Sequence, residues 1–366
     1  MKILVCFGTR PEAIKMAPVI RELEKEKLDF KICVTSQHRE MLNQVLDFFE
    51  ILPHYDLDLM RPDQSLNSLS ALILDAVDKV FDEYEPDLIL VQGDTTTAAM
   101  VGLAAFHRNI KVGHIEAGLR TNNKRSPFPE ELNRQLIGRI ADYHFAPTQL
   151  TAINLKEEKI PEHMIFVTGN TVVDALKWSE YKMDSEAKNI DVLRIQDIIM
   201  PGKKMILVTG HRRENFGAGL RNICNALEEL SHRGDIQIVY PVHLNPKVKG
   251  PVEEILSGKP NIDLIPPVSY PAMLWLMKNA SLIISDSGGI QEEAPSFNKT
   301  VIVTREYTER MEGVDAGYCI LTGADKTKIV REANRCLDNL NDNIGKENPY
   351  GDGLASARIV KILKEL

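Results

Sequence analysis

Residues 113–134, GHIEAGLRTNNKRSPFPEELNR, decide how the chain is read. An apolar run over 110–115 has strand character and ends at Glu116. A polar loop with Gly118 and Pro127 follows, and a helix opens at Pro129, a favoured first-turn residue because it has no N–H to lose. Glu130 and Glu131 fall in that first turn, where the helix dipole favours anions. Steps of four, three and four trace Glu130, Arg134, Ile137 and Ala141 along a stripe that begins charged and ends apolar. A solvated face stays polar, so such a stripe suits contact with protein or ligand. Two readings stand: an exposed i,i+4 ion pair worth about 0.2–0.5 kcal/mol, or a charged floor at the carboxyl end of a sheet, where open α/β folds bind ligands.

Outward from this stretch, strand-like and helix-like runs alternate. Strands are expected over 2–7, 30–34, 88–91, 143–146 and 164–167, and helices over 12–24, 38–49, 65–84 (capped by Ser65), 95–108 and 148–157. Residues 183–203 are polar, hold no clear strand and read as the approach to a second domain. The alternation then restarts, with strands over 205–209, 236–242, 262–265, 282–285 and 300–303 and helices over 220–232, 246–256, 272–279, 290–297, 324–338 and 354–366. Repeated βαβ units give mostly parallel sheets covered by helices on both faces. The expectation is two doubly wound α/β domains across a central cleft, 1–172 joined by helix 354–366, and 173–353.

The 366 residues are 43% apolar and 26% charged, with net charge −8 and no long basic run, which argues against nucleic acid as the main partner. An anionic substrate must then be met by local Arg, His and helix N-termini. Cys6, Cys33, Cys224, Cys319 and Cys336 are odd in number and scattered without a CxxC pair, which suggests neither a disulfide framework nor a metal site. Cys6 and Cys33 lie in strand-like runs and are expected in the core. MKILVCF reads as a strand, not a signal peptide, and no apolar stretch reaches membrane-spanning length, so a cytoplasmic protein away from membranes is expected.

Four junctions carry chemistry. At 7–12, Gly8 permits a tight turn and Pro11 starts a helix whose free N–H groups make an anion site, with Arg10 and, about one turn on, Lys15 beside it. The pattern is neither GxGxxG nor a Walker loop, so neither NAD nor ATP is implied. At 285–295, Ser287, Gly288 and Gly289 lead into a helix, a turn that lets backbone N–H groups approach a diphosphate. The glycine pair has little evident structural need, and Glu292 or Glu293 one turn later suits a ribose diol. At 209–215, His211, Arg212 and Arg213 stand together at a strand's carboxyl end, where His211 suits a general acid or a phosphate donor. At 92–97, Asp94 reads either as the N-cap of the helix opening at Thr95 or, with Glu116 and Glu130, as one of three carboxylates gathered at one sheet's carboxyl side. Gathered carboxylates raise each other's pKa and suit proton transfer.

The motifs GTRPEAIKMAPV (8–19), QHREM (37–41), QGDTTTA (92–98), HIEAGLRT (114–121), FPEELNR (128–134), GNTVVDAL (169–176), HRREN (211–215) and DSGGIQEEAP (286–295) together resemble the non-hydrolysing UDP-N-acetylglucosamine 2-epimerases over almost the whole chain. Hydrolysing relatives are similar in fold without HIEAGLRT followed by FPEELNR. The resemblance implies a glycosyltransferase-B-type architecture of two Rossmann-like domains, with the C-terminal helix crossing back onto the first. It implies interconversion of UDP-N-acetylglucosamine and UDP-N-acetylmannosamine through 2-acetamidoglucal, feeding a surface polysaccharide, by a homodimer without metal or redox cofactor.

By motif, the resemblance makes Asp94, Glu116 and Glu130 the acid/base set, with His211 at the diphosphate and Lys15 and Arg134 supporting the reacting groups. Arg10, Ser287, Gly288, Gly289, Glu293 and Arg310 would hold the nucleotide. Gln37, His38, Arg212 and His243 match parts of a second, activating UDP-N-acetylglucosamine site. Glu40 and Asp63 depart from the regulated members by adding negative charge there. Met311 stands where many members have Pro. The competing readings are a hydrolysing epimerase, a glycosyltransferase on the same architecture, which would need an acceptor groove and one base, and a non-catalytic nucleotide-sugar sensor.

Overall fold

The structure, a computed structural model, describes residues 1–36, 39–61, 64–185, 189–210, 212–339 and 346–366. Two parallel sheets organise it. The first holds β1 (Ile3–Phe7), β2 (Phe30–Val34), β3 (Tyr55–Asp56), β4 (Leu88–Gln92), β5 (Lys111–Ile115), β6 (Tyr143–Ala146) and β7 (Ile165–Val167), in the order β3-β2-β1-β4-β5-β6-β7. The second holds β8 (Lys204–Thr209), β9 (Ile236–Pro241), β10 (Ile262–Ile265), β11 (Leu282–Ser285), β12 (Val301–Val303) and β13 (Cys319–Leu321), in the order β10-β9-β8-β11-β12-β13. Each winds outward both ways from its first strand, so the strand order reverses between β1 and β4 and between β8 and β11. Ligands of doubly wound folds sit outside the carboxyl ends of strands at such points.

The central strands β1 and β4 are almost continuous apolar runs because helices cover both sheet faces. All of β1 and β4 is buried, and Val5 pairs in register with Ile32 on one side and Leu90 on the other. Helix ends are set locally. Ser65 accepts the Ser68 N–H at 3.1 Å and Asp325 that of Lys328 at 3.0 Å. Helix Arg10–Lys25 opens with Pro11 in its first turn, and Glu12 returns to accept the Thr9 N–H at 2.8 Å, half of a capping box.

The chain forms two compact units, Met1–Trp178 with Tyr350–Leu366, and Ser179–Pro349. The change of unit falls inside helix Thr171–Ser185. The stretch read as a polar approach carries helix Ile190–Ile198, opened by Asn189, whose side chain accepts the Asp191 N–H at 2.9 Å. In the first unit, helix Ala355–Glu365 lies on helix Arg10–Lys25, with a Lys364–Glu26 ion pair between them. The short strands β3 and β13 are additions to the sequence reading. All five cysteines are buried free thiols. Among the described residues no helix is long and apolar enough to cross a membrane.

Candidate active site

In the first unit the candidate residues gather at the carboxyl ends of β1, β4 and β5. After β4, Thr95 and not Asp94 caps helix Thr96–His107, accepting the Ala98 N–H at 3.0 Å. Asp94 instead takes Arg134, whose Nε and Nη2 both donate to Asp94 Oδ2, the former at 3.0 Å. Asn133 Nδ2 holds the Asp94 carbonyl at 2.9 Å. Arg134 is 3% exposed and also donates to Glu131, 0% exposed, at 3.3 Å. Glu131 accepts the backbone N–H groups of Thr121 at 3.0 Å and Asn122 at 3.1 Å, which fixes the loop before the helix. The charged stripe thus faces protein, and the exposed-pair reading fails at Arg134. Glu130, half-buried, is the first residue of the helix, with Pro129 as its N-cap.

Glu116 follows β5 directly at a φ of 65°, an uncommon left-handed conformation for a side chain of this size. Its Oε2 accepts Lys15 Nζ, from helix Arg10–Lys25, and Asn170 Nδ2 at 3.1 Å. Lys15 and Glu116 are both buried. Two charges withdrawn from water hold together only with close pairing and further hydrogen bonds. The sequence reading set the three carboxylates against one another. Here Asp94 and Glu116 are each met by a cation.

Gly8 is required by closeness: a Cβ there would lie 2.1 Å from Thr35 Oγ1 and 2.5 Å from Thr97 Oγ1. Buried Glu12 accepts the N–H groups of Gly8 at 3.1 Å and Thr9 at 2.8 Å, and the Thr95 hydroxyl at 2.7 Å, tying the ends of β1 and β4 together. Burial pushes its carboxyl up to about 7, against those hydrogen bonds. Arg10 is half-buried at the start of its helix. His114 Nε2 lies 2.7 Å from the Gly93 carbonyl, and burial lowers the imidazole to about 3. A carbonyl can only accept, so neutral His114 donates from Nε2 and steadies the turn before Asp94.

In the second unit the ends of β8, β11 and β12 are knotted by Asp286. Its Oδ2 accepts the Arg212 N–H at 3.0 Å and Asn215 Nδ2 at 3.2 Å, and Asn215 also reaches the Thr304 carbonyl at 3.1 Å. Thr209 and Ser285 share a hydroxyl hydrogen bond of 2.7 Å, and Ser285 accepts the Ser287 N–H at 2.9 Å. Helix Gly288–Glu293 follows, with Ser287 at its N-cap position. Gly288 does have a structural need, contrary to the sequence reading: a Cβ would lie 2.6 Å from Arg310 Cζ. At Gly289 the nearest atom is Ser287 Oγ at 3.9 Å, so close packing explains one glycine and not the other.

Arg310, expected on the nucleotide, is buried with Nε donating to Glu292 at 2.7 Å and Nη1 to Glu309. Arg305 behind it donates to Glu309 at 3.2 Å and Glu214 at 2.8 Å. Arg310 therefore backs the Gly288 turn from within the protein. Of the two candidate ribose carboxylates, Glu292 is engaged by Arg310, while Glu293 lies 3.4 Å from the Tyr270 hydroxyl. Arg212 is half-buried and His243 exposed, its Nδ1 accepting the Asn245 N–H at 3.1 Å. His211, Gln37, His38 and Asp63 lie outside the described residues.

Sequence reasoning gave no role to Glu12, Asn170, Asp286 and Arg305, and read Glu131 only as a first-turn carboxylate. Thr9-x-x-Glu12 before an apolar helix was a readable capping-box signal. Glu131 and Arg305 have helical-spacing partners in Arg134 and Glu309, whereas Asn170 and Asp286 carry no local signal for Glu116 and Asn215, which are distant in sequence.

The model of the UDP-N-acetylglucosamine 2-epimerase family matches residues 21–364. The chain is 51% identical to the UDP-N-acetylglucosamine 2-epimerase of Escherichia coli K12, covering 100% of this chain and 98% of the relative. A Neisseria meningitidis UDP-GlcNAc 2-epimerase structure bound to UDP-GlcNAc superposes with a TM-score of 0.96 at 46% identity, covering 100% of both chains. A Methanocaldococcus jannaschii structure in complex with UDP-GlcNAc and UDP gives a TM-score of 0.88 at 36% identity, again over 100% of both.

Proposed function

The chain belongs to the UDP-N-acetylglucosamine 2-epimerase family, and we propose that it interconverts UDP-N-acetylglucosamine and UDP-N-acetylmannosamine without hydrolysis. The supporting observation is the pair of carboxylates after adjacent strands β4 and β5, each matched to a buried cation. A sensor that only holds UDP has no use for this. C2 of the sugar has no neighbouring carbonyl, so its proton is not acidic enough for simple abstraction. In the proposed reaction a carboxylate takes the C2 proton as the C1–O bond to UDP breaks with its electron pair, leaving 2-acetamidoglucal. UDP then adds back at C1 while a carboxylic acid delivers a proton to the opposite face of C2.

Asp94, Glu116 and Glu130 are proposed as the acid/base set, with Lys15 and Arg134 holding two of them in register. Arg10, Ser287, Gly288, Gly289, Glu293 and His211 would serve the nucleotide, and Arg310 would act by shaping the Gly288 turn. The product would supply N-acetylmannosamine units for a surface polysaccharide. Chromatographic separation of UDP-sugars, UDP and free sugar tests this. A mixture of the two UDP-sugars at constant total, reached from either side, is expected. UDP and free N-acetylmannosamine accumulating in equal amounts would establish the hydrolytic alternative instead.

A further inference from the structure

We propose that Asn170 is a positioning residue for Glu116, and that it is held by the C-terminal return of the chain. This rests on the reading of Glu116 as an acid/base group. Asn170 is buried, and its amide orientation is fixed from both ends. Oδ1 accepts the Val172 N–H at 3.0 Å, so Nδ2 is the end that faces Glu116 Oε2, at 3.1 Å. Glu116 is thereby met by two donors from different directions, Lys15 from helix Arg10–Lys25 and Asn170 from the start of helix Thr171–Ser185. That suits a carboxylate whose backbone is already held at positive φ.

Asn170 is in turn fixed by residues near the C-terminus. Its N–H donates to the Tyr350 carbonyl at 2.8 Å. Gly351 is packed so closely that a Cβ there would lie 3.3 Å from Gly169 Cα. Asp174, one turn on, accepts the N–H groups of Ala355 at 3.2 Å and Ser356 at 2.8 Å, and Arg358 donates to the Thr168 carbonyl at 3.0 Å. Residues 350–358 thus clamp 168–174 at several points, and the clamped segment reaches the reacting carboxylate through one amide.

Two variants separate positioning from plain structure. Asn170→Ser keeps an oxygen for the Val172 N–H but cannot reach Glu116. Asn170→Asp keeps both size and the Val172 acceptor, yet turns a carboxylate toward Glu116 where a donor stood. The proposal predicts kcat lower by about 10-fold in Asn170→Ser and about 100-fold in Asn170→Asp, with KM and the UDP Kd within about twofold of wild type. A purely structural role ranks them the other way, because aspartate is the closer isostere. Asn170→Asp as fast as Asn170→Ser, or losses appearing in KM and UDP Kd, would overturn the proposal. If Asn170→Asp does not fold, Asn170→Ser decides: a loss confined to kcat supports the role and an unchanged kcat overturns it. Glu116→Gln is the control. Its inactivity beside unimpaired Asn170 variants removes only the positioning role, whereas near-normal turnover in Glu116→Gln removes the catalytic reading of Glu116 and this proposal with it.

Discussion

Glu12→Gln tests the electrostatics of the hydrogen bonds that tie the end of β1 to the end of β4. Burial raises the Glu12 carboxyl from 4.5 to about 7, and its three hydrogen bonds offset that only in part. A carboxyl with a raised folded pKa keeps a proton that the unfolded chain releases, so stability falls as pH rises. The contribution is fully present below pH 4.5 and is lost as pH climbs through 7. At about 1.4 kcal/mol per pH unit the loss is about 3 kcal/mol. Glutamine keeps the size and a carbonyl oxygen for the Gly8 and Thr9 N–H groups, and its amide can donate to Thr95, so the variant lacks only the titration. Its stability relative to wild type should therefore rise by about 3 kcal/mol between pH 4.5 and pH 8. Urea unfolding of both proteins at several pH values measures this. A Trp275→Phe background leaves Trp178, in the same unit as Glu12, as the fluorescent reporter. Subtracting the two proteins cancels all other titrations. A difference that stays flat with pH, or that moves in favour of wild type, refutes the reasoning.

Asp94→Asn, Glu116→Gln and Glu130→Gln should each keep UDP binding, read by calorimetry, while losing turnover; near-normal rates in all three contradict the assigned roles. Arg134→Met removes the cation shared by Asp94 and buried Glu131, and should lower the stability of the first unit by about 3 kcal/mol in urea unfolding. Gly288→Ala must push the Arg310 guanidinium from its place beside Glu292, and should weaken UDP binding by about 10-fold or more while sparing the fold of the first unit; an unchanged UDP Kd tells against the role of that turn.

The strand framework was legible because both sheets are covered. A strand buried on both faces is a short apolar run between turn residues, and β6 and β11 have the bounds read from such runs; β2 and β10, partly or wholly half-buried, have the bounds read for them too. β3 spans two residues, too short for a period to register. The helix Thr171–Ser185 was read only as a motif, and the polar character of 183–203 hid a second helix. At the site, residue types were legible and partnerships were not. Lys15 meets Glu116 across 101 residues, Asp94 meets Arg134 across 40, and Asn170 meets Glu116 across 54. No local spacing encodes such pairs. Asp94 also illustrates a competition: it reads either as the cap of a helix opening at Thr95 or as one of the gathered carboxylates, and the structure makes Thr95 the cap while Asp94 meets an arginine supplied by a later helix.

Solvent-hydrogen exchange at C2 tests the central claim most directly. The enzyme is incubated with UDP-N-acetylglucosamine in D2O and followed by proton NMR. The account predicts that UDP-N-acetylmannosamine appears and that both UDP-sugars gain deuterium at C2 while free UDP does not accumulate. Epimerisation with C2 hydrogen retained, or stoichiometric release of UDP and free N-acetylmannosamine, would contradict it.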